Sequence, residues 1–280
     1  MQQRISLRDG LGLSVEVRGQ GHGVLLVHGF TGSSAAWTPR IIDALAQDRC
    51  VVAVDLLGHG QSDTCHRSER FALEQVLEDL CEVLDALDLE RCTWIGYSMG
   101  GRIALGAAIL RPERVDALVL EGASPGLRTA PERDQRREAD EELARALETD
   151  GLEAFVDRWM SQPLFASQEA LRPEIRSVER ARRLLADPGS LAACLRGLGT
   201  GAQPSFWPAL GKVRARSLLL FGELDTKFAA IAREMAAAIP HAHRRAIPGA
   251  GHTTHLEKPD AWLAAVCRFD RGVQEQGRPR

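Results

Sequence analysis

One stretch of the chain, residues 93–105, reads TWIGYSMGGRIAL. It joins a short apolar run to a segment with helical periodicity, and Ser98 lies at the junction within the pattern G-x-S-x-G. Glycines on both sides of a serine remove the side chains that would collide in a sharp turn between a strand and a helix. The stretch therefore predicts a strand, a tight turn that exposes the Ser98 hydroxyl, and a helix.

A glycine-rich turn before a helix also occurs in loops that bind phosphate. Such loops continue into a Lys-Ser or Lys-Thr pair, and no such pair follows Gly101 in this chain. The pattern around Ser98 therefore favours a nucleophile or a base over an anion-binding turn.

The same alternation of strand and helix extends through most of the chain. Short continuous apolar runs, typical of strands buried on both faces of a parallel sheet, occupy residues 24–27, 51–54, 93–95, 117–120 and 217–221. Segments with helical periodicity occupy residues 35–46, 72–87, 101–110, 231–239 and 261–269. This order predicts an α/β fold with a mostly parallel central sheet and helices on both faces. Alternating residues around Asp9-Gly10 predict an antiparallel hairpin before it.

The length and one irregular region indicate how the chain is divided. A chain of 280 residues can form one sizeable core, since single α/β domains often exceed about 200 residues. Residues 125–210 interrupt the alternation, because they have helical patterning but no convincing strand. We therefore predict a core of residues 1–124 and 211–280, with a helical cap inserted at residues 125–210.

The composition excludes several classes of function. A net charge of −3 gives no basic surface for nucleic acid, and no apolar run approaches the roughly 20 residues that a membrane-spanning helix needs. The six cysteines form no C-x-x-C pair, which argues against a zinc or redox site, and the first residues lack the apolar core of a signal peptide. We expect a cytoplasmic monomer or small homo-oligomer that uses neither a metal nor a cofactor.

A serine hydroxyl becomes reactive only when a histidine takes its proton and an acid orients that histidine. Where a G-x-S-x-G turn carries the serine, the partners follow in the order serine, acid, histidine. Asp225 follows the apolar run at residues 217–221, and His252, which has glycines before it, follows the next predicted strand. We therefore predict that Ser98, Asp225 and His252 form a catalytic triad.

Other residues are candidates for the same roles. Glu223 and Glu121 also follow predicted strands and compete with Asp225 for the role of the acid. The competing histidines are His28, His59 and His255. The first two precede Ser98 in the chain, and we expect the third to be an exposed residue at the start of a helix. Asp225 is favoured because it lies in the loop after the strand, at the distance along the chain that is expected for the acid.

Negative charge on a substrate oxygen is held in such sites by two backbone N–H groups. One comes from the residue after the serine, Met99, and the other from a loop after an earlier strand, here at Phe30. Arg102 lies four positions after Ser98 on the same helix face, where a guanidinium suits a carboxylate. Tyr97 is the only tyrosine and precedes Ser98, so it either packs there or bonds to a substrate carboxylate.

These residues resemble one branch of the α/β-hydrolase fold, the 2-succinyl-6-hydroxy-2,4-cyclohexadiene-1-carboxylate synthases (SHCHC synthases) of menaquinone biosynthesis. Segments that are shared widely in this fold are 28–32 (HGFTG), 55–60 (DLLGHG) and 96–102 (GYSMGGR). More specific matches are 120–127 (LEGASPGL), 159–165 (WMSQPLF), 195–204 (LRGLGTGAQP) and 222–228 (GELDTKF). The resemblance extends over the core and the cap, nearly the whole chain.

The resemblance implies an elimination and not a hydrolysis. Members of this family release pyruvate from a small cyclohexene substrate with three carboxylates, and they begin by removing a proton. For this chain it implies the triad already named and an oxyanion hole formed by Phe30 and Met99. The substrate contacts that it implies are Tyr97, Arg102, Arg136, Trp159 and Arg183. At the two cap arginines, the neighbours Arg133, Arg137 and Arg182 stay open as alternatives.

Two other functions are compatible with these residues. The first is a serine-dependent hydrolase of esters or carbon–carbon bonds, since acyl transfer needs the same triad. The second is a ligand receptor without catalysis, which the intact triad disfavours. The arginine-rich cap favours the synthase, because an esterase for neutral lipids would more often have an apolar cap.

Overall fold

The computed structural model describes residues 1–277, and these contain an eight-stranded sheet. The strands are β1 (Gln2–Ser6), β2 (Gly12–Arg18), β3 (His22–Val27), β4 (Arg49–Val54), β5 (Cys92–Tyr97), β6 (Val115–Glu121), β7 (Arg216–Gly222) and β8 (Ala242–Ile247). Their order across the sheet is β1-β2-β4-β3-β5-β6-β7-β8. β2 runs antiparallel to β1 and β4, and the strands from β3 to β8 pair in parallel. The prediction of an α/β fold with a mostly parallel sheet is confirmed.

Helices connect most of the parallel strands. The α-helices are α1 (Pro39–Leu45), α2 (Leu73–Ala86), α3 (Met99–Leu110), α4 (Ala130–Met160), α5 (Pro173–Arg183), α6 (Pro188–Leu198), α7 (Thr226–Ala238), α8 (Thr254–Glu257) and α9 (Pro259–Gly277). α1 begins later than predicted because a separate turn, Ser34–Ala36, precedes it. Among residues 1–277, no helix is both long enough and apolar enough to cross a membrane.

The helices cover both faces of the sheet, and each face has its own apolar core. On one face, α2 and α3 contribute fully buried side chains such as Leu80 and Ile103. On the other face, α1 and α9 contribute Ile41 and Trp262. The central strands are therefore buried on both sides, which explains why their sequences are continuous apolar runs.

β8 departs from this pattern because it lies at the edge of the sheet. Its side chains from His243 to Ala246 are exposed, and only Ile247 at its end is buried. Arg244 and Arg245 place charge on this edge, which discourages pairing with another chain. The strand therefore has no apolar run that would predict its ends from the sequence.

The chain between β6 and β7 contains α4, α5 and α6, and this stretch of the structure has no strand. α4 is interrupted at Gly151, whose φ of 82° and ψ of 169° are not helical. A separate apolar cluster that includes Leu147, Phe155 and Leu191 joins α4 to α6. We propose that this unit is the inserted cap of residues 125–210, with the remaining residues as the core.

Candidate active site

Ser98 lies in a strained turn between β5 and α3. Its φ is 52° and its ψ is −108°, and its N–H donates to the carbonyl of Glu121 at 2.8 Å. Close backbone contacts require the flanking glycines. A Cβ on Gly96 would lie 2.2 Å from the carbonyl oxygen of Gly100, and a Cβ on Gly100 would lie 2.1 Å from that of Val27. The glycines of the motif therefore serve packing as well as the sharp turn.

Asp225, His252 and Ser98 form a continuous hydrogen-bonded line. His252 Nε2 lies 3.1 Å from Ser98 Oγ, and His252 Nδ1 lies 2.8 Å from Asp225 Oδ2. A neutral His252 with its proton on Nδ1 donates to Asp225 and leaves Nε2 to accept the serine proton. His252 is 2% exposed and Asp225 is 8% exposed, so bulk water is largely excluded from the pair. The structure thus brings together the three residues that the sequence predicts for the triad.

Separate elements hold the acid and the histidine. Asp225 caps α7, and its Oδ1 accepts the N–H of Phe228 at 3.1 Å. His252 packs against the rings of Phe228 and Tyr97, at centroid distances of 4.6 and 5.4 Å. Gly122 has a φ of 55°, and a Cβ at this position would lie 2.7 Å from His252 Cε1. The imidazole is therefore confined by packing from several sides.

The loop after β3 lies against the Ser98 turn. A Cβ on Gly29 would lie 3.5 Å from Ser98 Cβ and 2.8 Å from the Tyr97 ring, so glycine permits this close approach. Met99 is the first residue of α3, where a backbone N–H has no partner within its own helix. Phe30 and Met99 both line the cavity in front of the serine. Their role as the oxyanion hole stays a prediction.

A cavity of 1220 Å³ lies in front of Ser98, between the core and the cap helices. Its basic lining residues are Arg102, Arg136, Arg158, Arg183 and Lys227, and its acidic lining residues are Asp140, Glu142 and Asp225. Its aromatic lining residues include Phe30, Phe155, Trp159, Phe165 and Phe228. Apolar walls with several cations suit a small ring that carries carboxylates. Within the part of the chain that the structure describes, no three His, Cys, Asp or Glu side chains are grouped as metal ligands.

Arg102 lies in the wall of this cavity and is only 9% exposed. Its Nη1 donates to Gln203 Oε1 at 2.5 Å, and its Nη2 donates to the carbonyl of Leu198 at 2.9 Å. Burial lowers the pKa of the guanidinium to about 10, so it stays charged at neutral pH. Both acceptors are neutral, and the positive charge therefore has no bonded carboxylate in the described protein.

The two cap arginines that the resemblance implies also line the cavity, but their partners differ. Arg183 is 7% exposed and donates to the hydroxyl of Thr31. Arg136 is already paired, because its guanidinium lies 2.8 Å from the carboxylate of the buried Asp140. The alternative cap arginines Arg133, Arg137 and Arg182 are not among the residues of the cavity wall. Of the cap positions considered from the sequence, the structure thus places Arg136 and Arg183 in the cavity.

The two aromatic contacts that the resemblance implies have different surroundings. Tyr97 lines the cavity, but its hydroxyl lies 2.7 Å from Thr253 Oγ1 and belongs to a protein hydrogen-bond network. Gln168 of the cap donates to the same threonine oxygen at 2.9 Å. Trp159 stacks on Phe155 with ring centroids 5.7 Å apart. The buried indole N–H of Trp159 has no partner among the described residues, so it is free to donate to a ligand.

The structure corrects the expectation that His255 is exposed. His255 is 2% exposed and Glu121 is fully buried, and the His255 ring lies 3.0 Å from the Glu121 carboxylate. The same carboxylate accepts hydrogen bonds from the hydroxyl of Thr254 at 2.7 Å and from the indole of Trp262 at 2.9 Å. The Glu121 carboxylate is therefore hydrogen-bonded to these three residues and not to His252.

The other alternative residues also have structural partners. Glu223 is exposed and accepts the N–H of Gly249 at 2.9 Å. His28 and His59 are buried beside each other, with ring centroids 5.1 Å apart. Burial is the main cause that lowers the pKa of each, to about 3 for His59. Both imidazoles are therefore neutral, and His28 Nε2 accepts the N–H of Leu56 at 3.1 Å.

Sequence reasoning missed two side chains that hold the site. Gln203 contacts Arg102, and Phe228 packs on His252, although neither was predicted as a site residue. Both lie in segments that match the SHCHC synthases, at residues 195–204 and 222–228. That match was the available signal, but it gave no indication of which residue in each segment approaches the site.

A parallel sheet with a serine turn, an acid and a histidine after its strands defines the class of α/β-hydrolase fold enzymes. The model of the alpha/beta hydrolase fold family matches residues 24–259. A relative from Bacillus subtilis (strain 168), provisionally named an SHCHC synthase, is 41% identical over 95% of this chain and 97% of its own. The SHCHC synthase of Escherichia coli O1:K1 / APEC is 33% identical over 89% of this chain and 93% of its own.

A solved structure of MenH from S. aureus is also similar, with a TM-score of 0.89 and 32% sequence identity. It aligns over 93% of this chain and 98% of that protein. The chain therefore belongs to the α/β-hydrolase fold family and, within it, to the SHCHC synthase family.

Proposed function

We propose that this enzyme is a carbon–oxygen lyase of menaquinone biosynthesis. Its substrate would be 2-succinyl-5-enolpyruvyl-6-hydroxy-3-cyclohexene-1-carboxylate, and its products SHCHC and pyruvate. The observation that carries the proposal is the buried positive charge of Arg102 in the cavity wall beside Ser98. The proposed substrate has three carboxylates on one small ring framework, so it requires cations in a pocket with apolar walls. The activity named for the Escherichia coli relative supports the same reaction.

The first chemical step is removal of the proton on ring carbon 2, next to the succinyl ketone. Ser98 Oγ takes this proton as its own proton moves to His252 Nε2, which lies 3.1 Å away. Asp225 stabilises the resulting imidazolium through its bond to Nδ1. The negative charge moves onto the ketone oxygen, where the N–H groups of Phe30 and Met99 would bind it.

The second step breaks the bond between ring carbon 5 and the enolpyruvyl oxygen. The ring double bond moves from carbons 3 and 4, which gives double bonds at carbons 2 and 4. His252 returns its proton to the departing oxygen, and the released enol becomes pyruvate by tautomerisation. Ser98 keeps the proton from the substrate, so the site returns to its starting protonation state. Ser98 then acts as a base, and no covalent intermediate forms.

The cavity cations differ in how much charge they can offer to the three carboxylates. Arg102 and Arg183 are bonded to neutral groups, whereas Arg136 shares its charge with Asp140. We assign the tightest carboxylate contacts to Arg102 and Arg183, with Arg136 as a weaker third. Tyr97 and Trp159 complete the proposed substrate contacts from the cavity wall.

A second candidate is a serine hydrolase that acts on esters or carbon–carbon bonds. The observation in its favour is the triad itself, because a Ser98 hydroxyl 3.1 Å from His252 Nε2 is equally suited to attack a carbonyl. The two functions differ in what happens at Ser98. A hydrolase forms an acylated serine, whereas the proposed lyase only transfers protons.

The deciding experiment measures pyruvate release from freshly prepared cyclohexene substrate, coupled to reduction of the pyruvate by lactate dehydrogenase. We expect rapid release by the natural enzyme and loss of release with Ser98→Ala. A neutral aryl ester, followed for an acylation burst, tests the alternative in parallel. Efficient ester turnover without pyruvate release would contradict the lyase proposal.

A further inference from the structure

We propose that Gln203 is a positioning and specificity-determining residue that keeps the charge of Arg102 available to an anionic substrate. This inference rests on the proposed function, because Arg102 is taken to bind a substrate carboxylate. Gln203 lies at the end of the cap segment, 101 positions from Arg102 in the chain, and does not itself line the cavity. It therefore acts on the substrate through the arginine.

Only one orientation of the Gln203 amide is chemically possible in its contact with Arg102. A guanidinium has only N–H donors, so the atom of Gln203 that faces Arg102 Nη1 at 2.5 Å must be the amide oxygen. The carbonyl of Leu198 fixes Nη2 from the same segment at 2.9 Å. Two acceptors on two different nitrogens set the plane of the guanidinium, and a planar fork must be oriented to bind a carboxylate.

Gln203 is itself held rigidly. It is 2% exposed, and its backbone N–H donates to the carbonyl of Gly199 at 3.1 Å. Its side-chain Nε2 is buried and has no partner among the described residues. A Cβ on Gly126, a residue of the cavity wall, would lie 3.1 Å from this nitrogen. A buried amide with an unsatisfied donor is unfavourable, which argues against packing alone as the reason for glutamine here.

The chemistry of the position explains why a neutral acceptor matters. A glutamate of the same shape would bond to Arg102 more strongly and would neutralise it. The buried carboxylate of Asp140, whose charge also acts on Arg102, is instead bonded to Arg136 at 2.8 Å and to the N–H of Gly201 at 3.3 Å. Arg136 is thus paired with a carboxylate, whereas Arg102 is hydrogen-bonded to a neutral amide. We infer that a substrate carboxylate is the first anion to bond to Arg102.

The test replaces Gln203 by Glu and measures KM, kcat and anion binding. Gln203→Glu supplies a counter-ion, so we expect KM for the cyclohexene substrate to rise about ten-fold or more with kcat within about two-fold. The rate at which a neutral fluorophosphonate labels Ser98 without succinate should be unchanged, because that reagent does not need Arg102. Gln75→Glu on the exposed face of α2 adds the same charge elsewhere and is the matched control.

A merely structural role for Gln203 gives a different result. If the residue only ties the cap to α3, glutamate would serve at least as well, and an unchanged KM in Gln203→Glu would overturn the inference. Gln203→Met removes the acceptor without adding charge, and we expect a smaller rise in KM from loss of orientation. If the glutamate variant does not fold, a wild-type KM in Gln203→Met overturns the inference by itself.

A second readout separates this inference from the proposed reaction. Succinate should protect Ser98 from a fluorophosphonate label in the natural protein, and the protection constant should weaken about ten-fold in Gln203→Glu. Protection with this difference, but no pyruvate release, would contradict the lyase function and support the inference. Pyruvate release with equal succinate protection in both proteins would support the function and overturn the inference.

Discussion

The carboxylate of Glu121 lies 3.0 Å from the imidazole of His255, and both side chains are almost completely buried. Burial alone would raise the pKa of Glu121, but the ion pair with His255 and the hydrogen bonds around it together lower the pKa. The same residue accepts the Ser98 N–H through its backbone carbonyl. Glu121 therefore joins the strained serine turn to the segment that follows His252.

This relationship predicts a large loss of stability in Glu121→Gln. The carboxylate accepts hydrogen bonds from Thr254, His255 and Trp262, and an amide has only one oxygen to accept them. Each buried donor left without an acceptor costs about 1–3 kcal/mol. Urea unfolding at pH 7 measures the change in the free energy of unfolding. Glu153→Gln is the control, because Glu153 pairs with Arg180 on the surface and its loss should change stability little. Equal stability of the two variants would contradict the buried role of Glu121.

The buried histidines predict a dependence of stability on pH. Burial, and then the neighbouring His28, lower the pKa of His59 to about 3, against about 6.5 in the unfolded chain. The unfolded state therefore binds the proton first as the pH falls. The contribution of a neutral His59 is complete above pH 6.5 and is lost progressively toward pH 3, at up to about 1.4 kcal/mol per pH unit.

Urea unfolding between pH 8 and 4.5 tests this dependence by comparison with variants. His59→Gln removes one titrating group, so its stability should fall less steeply below pH 6.5 than that of the natural protein. His241→Gln changes an exposed histidine and should leave the slope unaltered. Identical slopes for all three proteins would show that His59 is not buried in its neutral form.

The packing around His252 predicts that Gly122→Ala reduces activity more than stability. Gly122 and Gly10 both have positive φ, so alanine at either position costs roughly 1 kcal/mol in backbone strain. At Gly122 the new Cβ would lie 2.7 Å from His252 Cε1, whereas nothing lies within 4 Å at Gly10. We expect kcat to fall about 100-fold only in Gly122→Ala, since small displacements of a catalytic group are costly. Comparable kcat values would contradict the packing argument.

The triad geometry predicts that Asp225→Asn retains its fold and loses rate. An amide at this position does not stabilise the charged imidazole and can favour the wrong tautomer of His252, so kcat should fall about 1,000- to 10,000-fold. Circular dichroism and thermal melting establish that the fold is retained. Glu223→Gln, a change of the exposed neighbouring acid, should keep nearly full activity. The opposite ranking of the two variants would transfer the role of the acid to Glu223.

The sequence was most informative where chemistry and local backbone depend on neighbouring residues. The G-x-S-x-G pattern locates the Ser98 turn because the turn needs both of its glycines, which are only four positions apart. The apolar runs predict the central strands because both faces of the sheet are buried. The order of strands then places Asp225 and His252 near Ser98, because all three residues follow the carboxyl ends of parallel strands.

The sequence was least informative where a contact joins distant segments. His255 and Glu121 are 134 positions apart, and nothing near His255 indicates that a buried carboxylate lies beside it. Gln203 meets Arg102 only after the cap folds onto α3. The ends of β8 could not be predicted for another reason, because an exposed edge strand needs no apolar run.

The different partners of the cavity arginines predict two distinguishable defects. Arg102→Ala removes a charge that has no bonded carboxylate in the protein, so it should weaken substrate binding far more than folding. Loss of a charged hydrogen bond of about 1.5–3 kcal/mol corresponds to a rise in KM of roughly 10- to 150-fold. Arg136→Ala leaves the buried Asp140 without its cation, so it should lower the free energy of unfolding more and raise KM less. Steady-state kinetics and urea unfolding of both variants test this contrast, and a parallel loss of stability and binding in Arg102→Ala would contradict it.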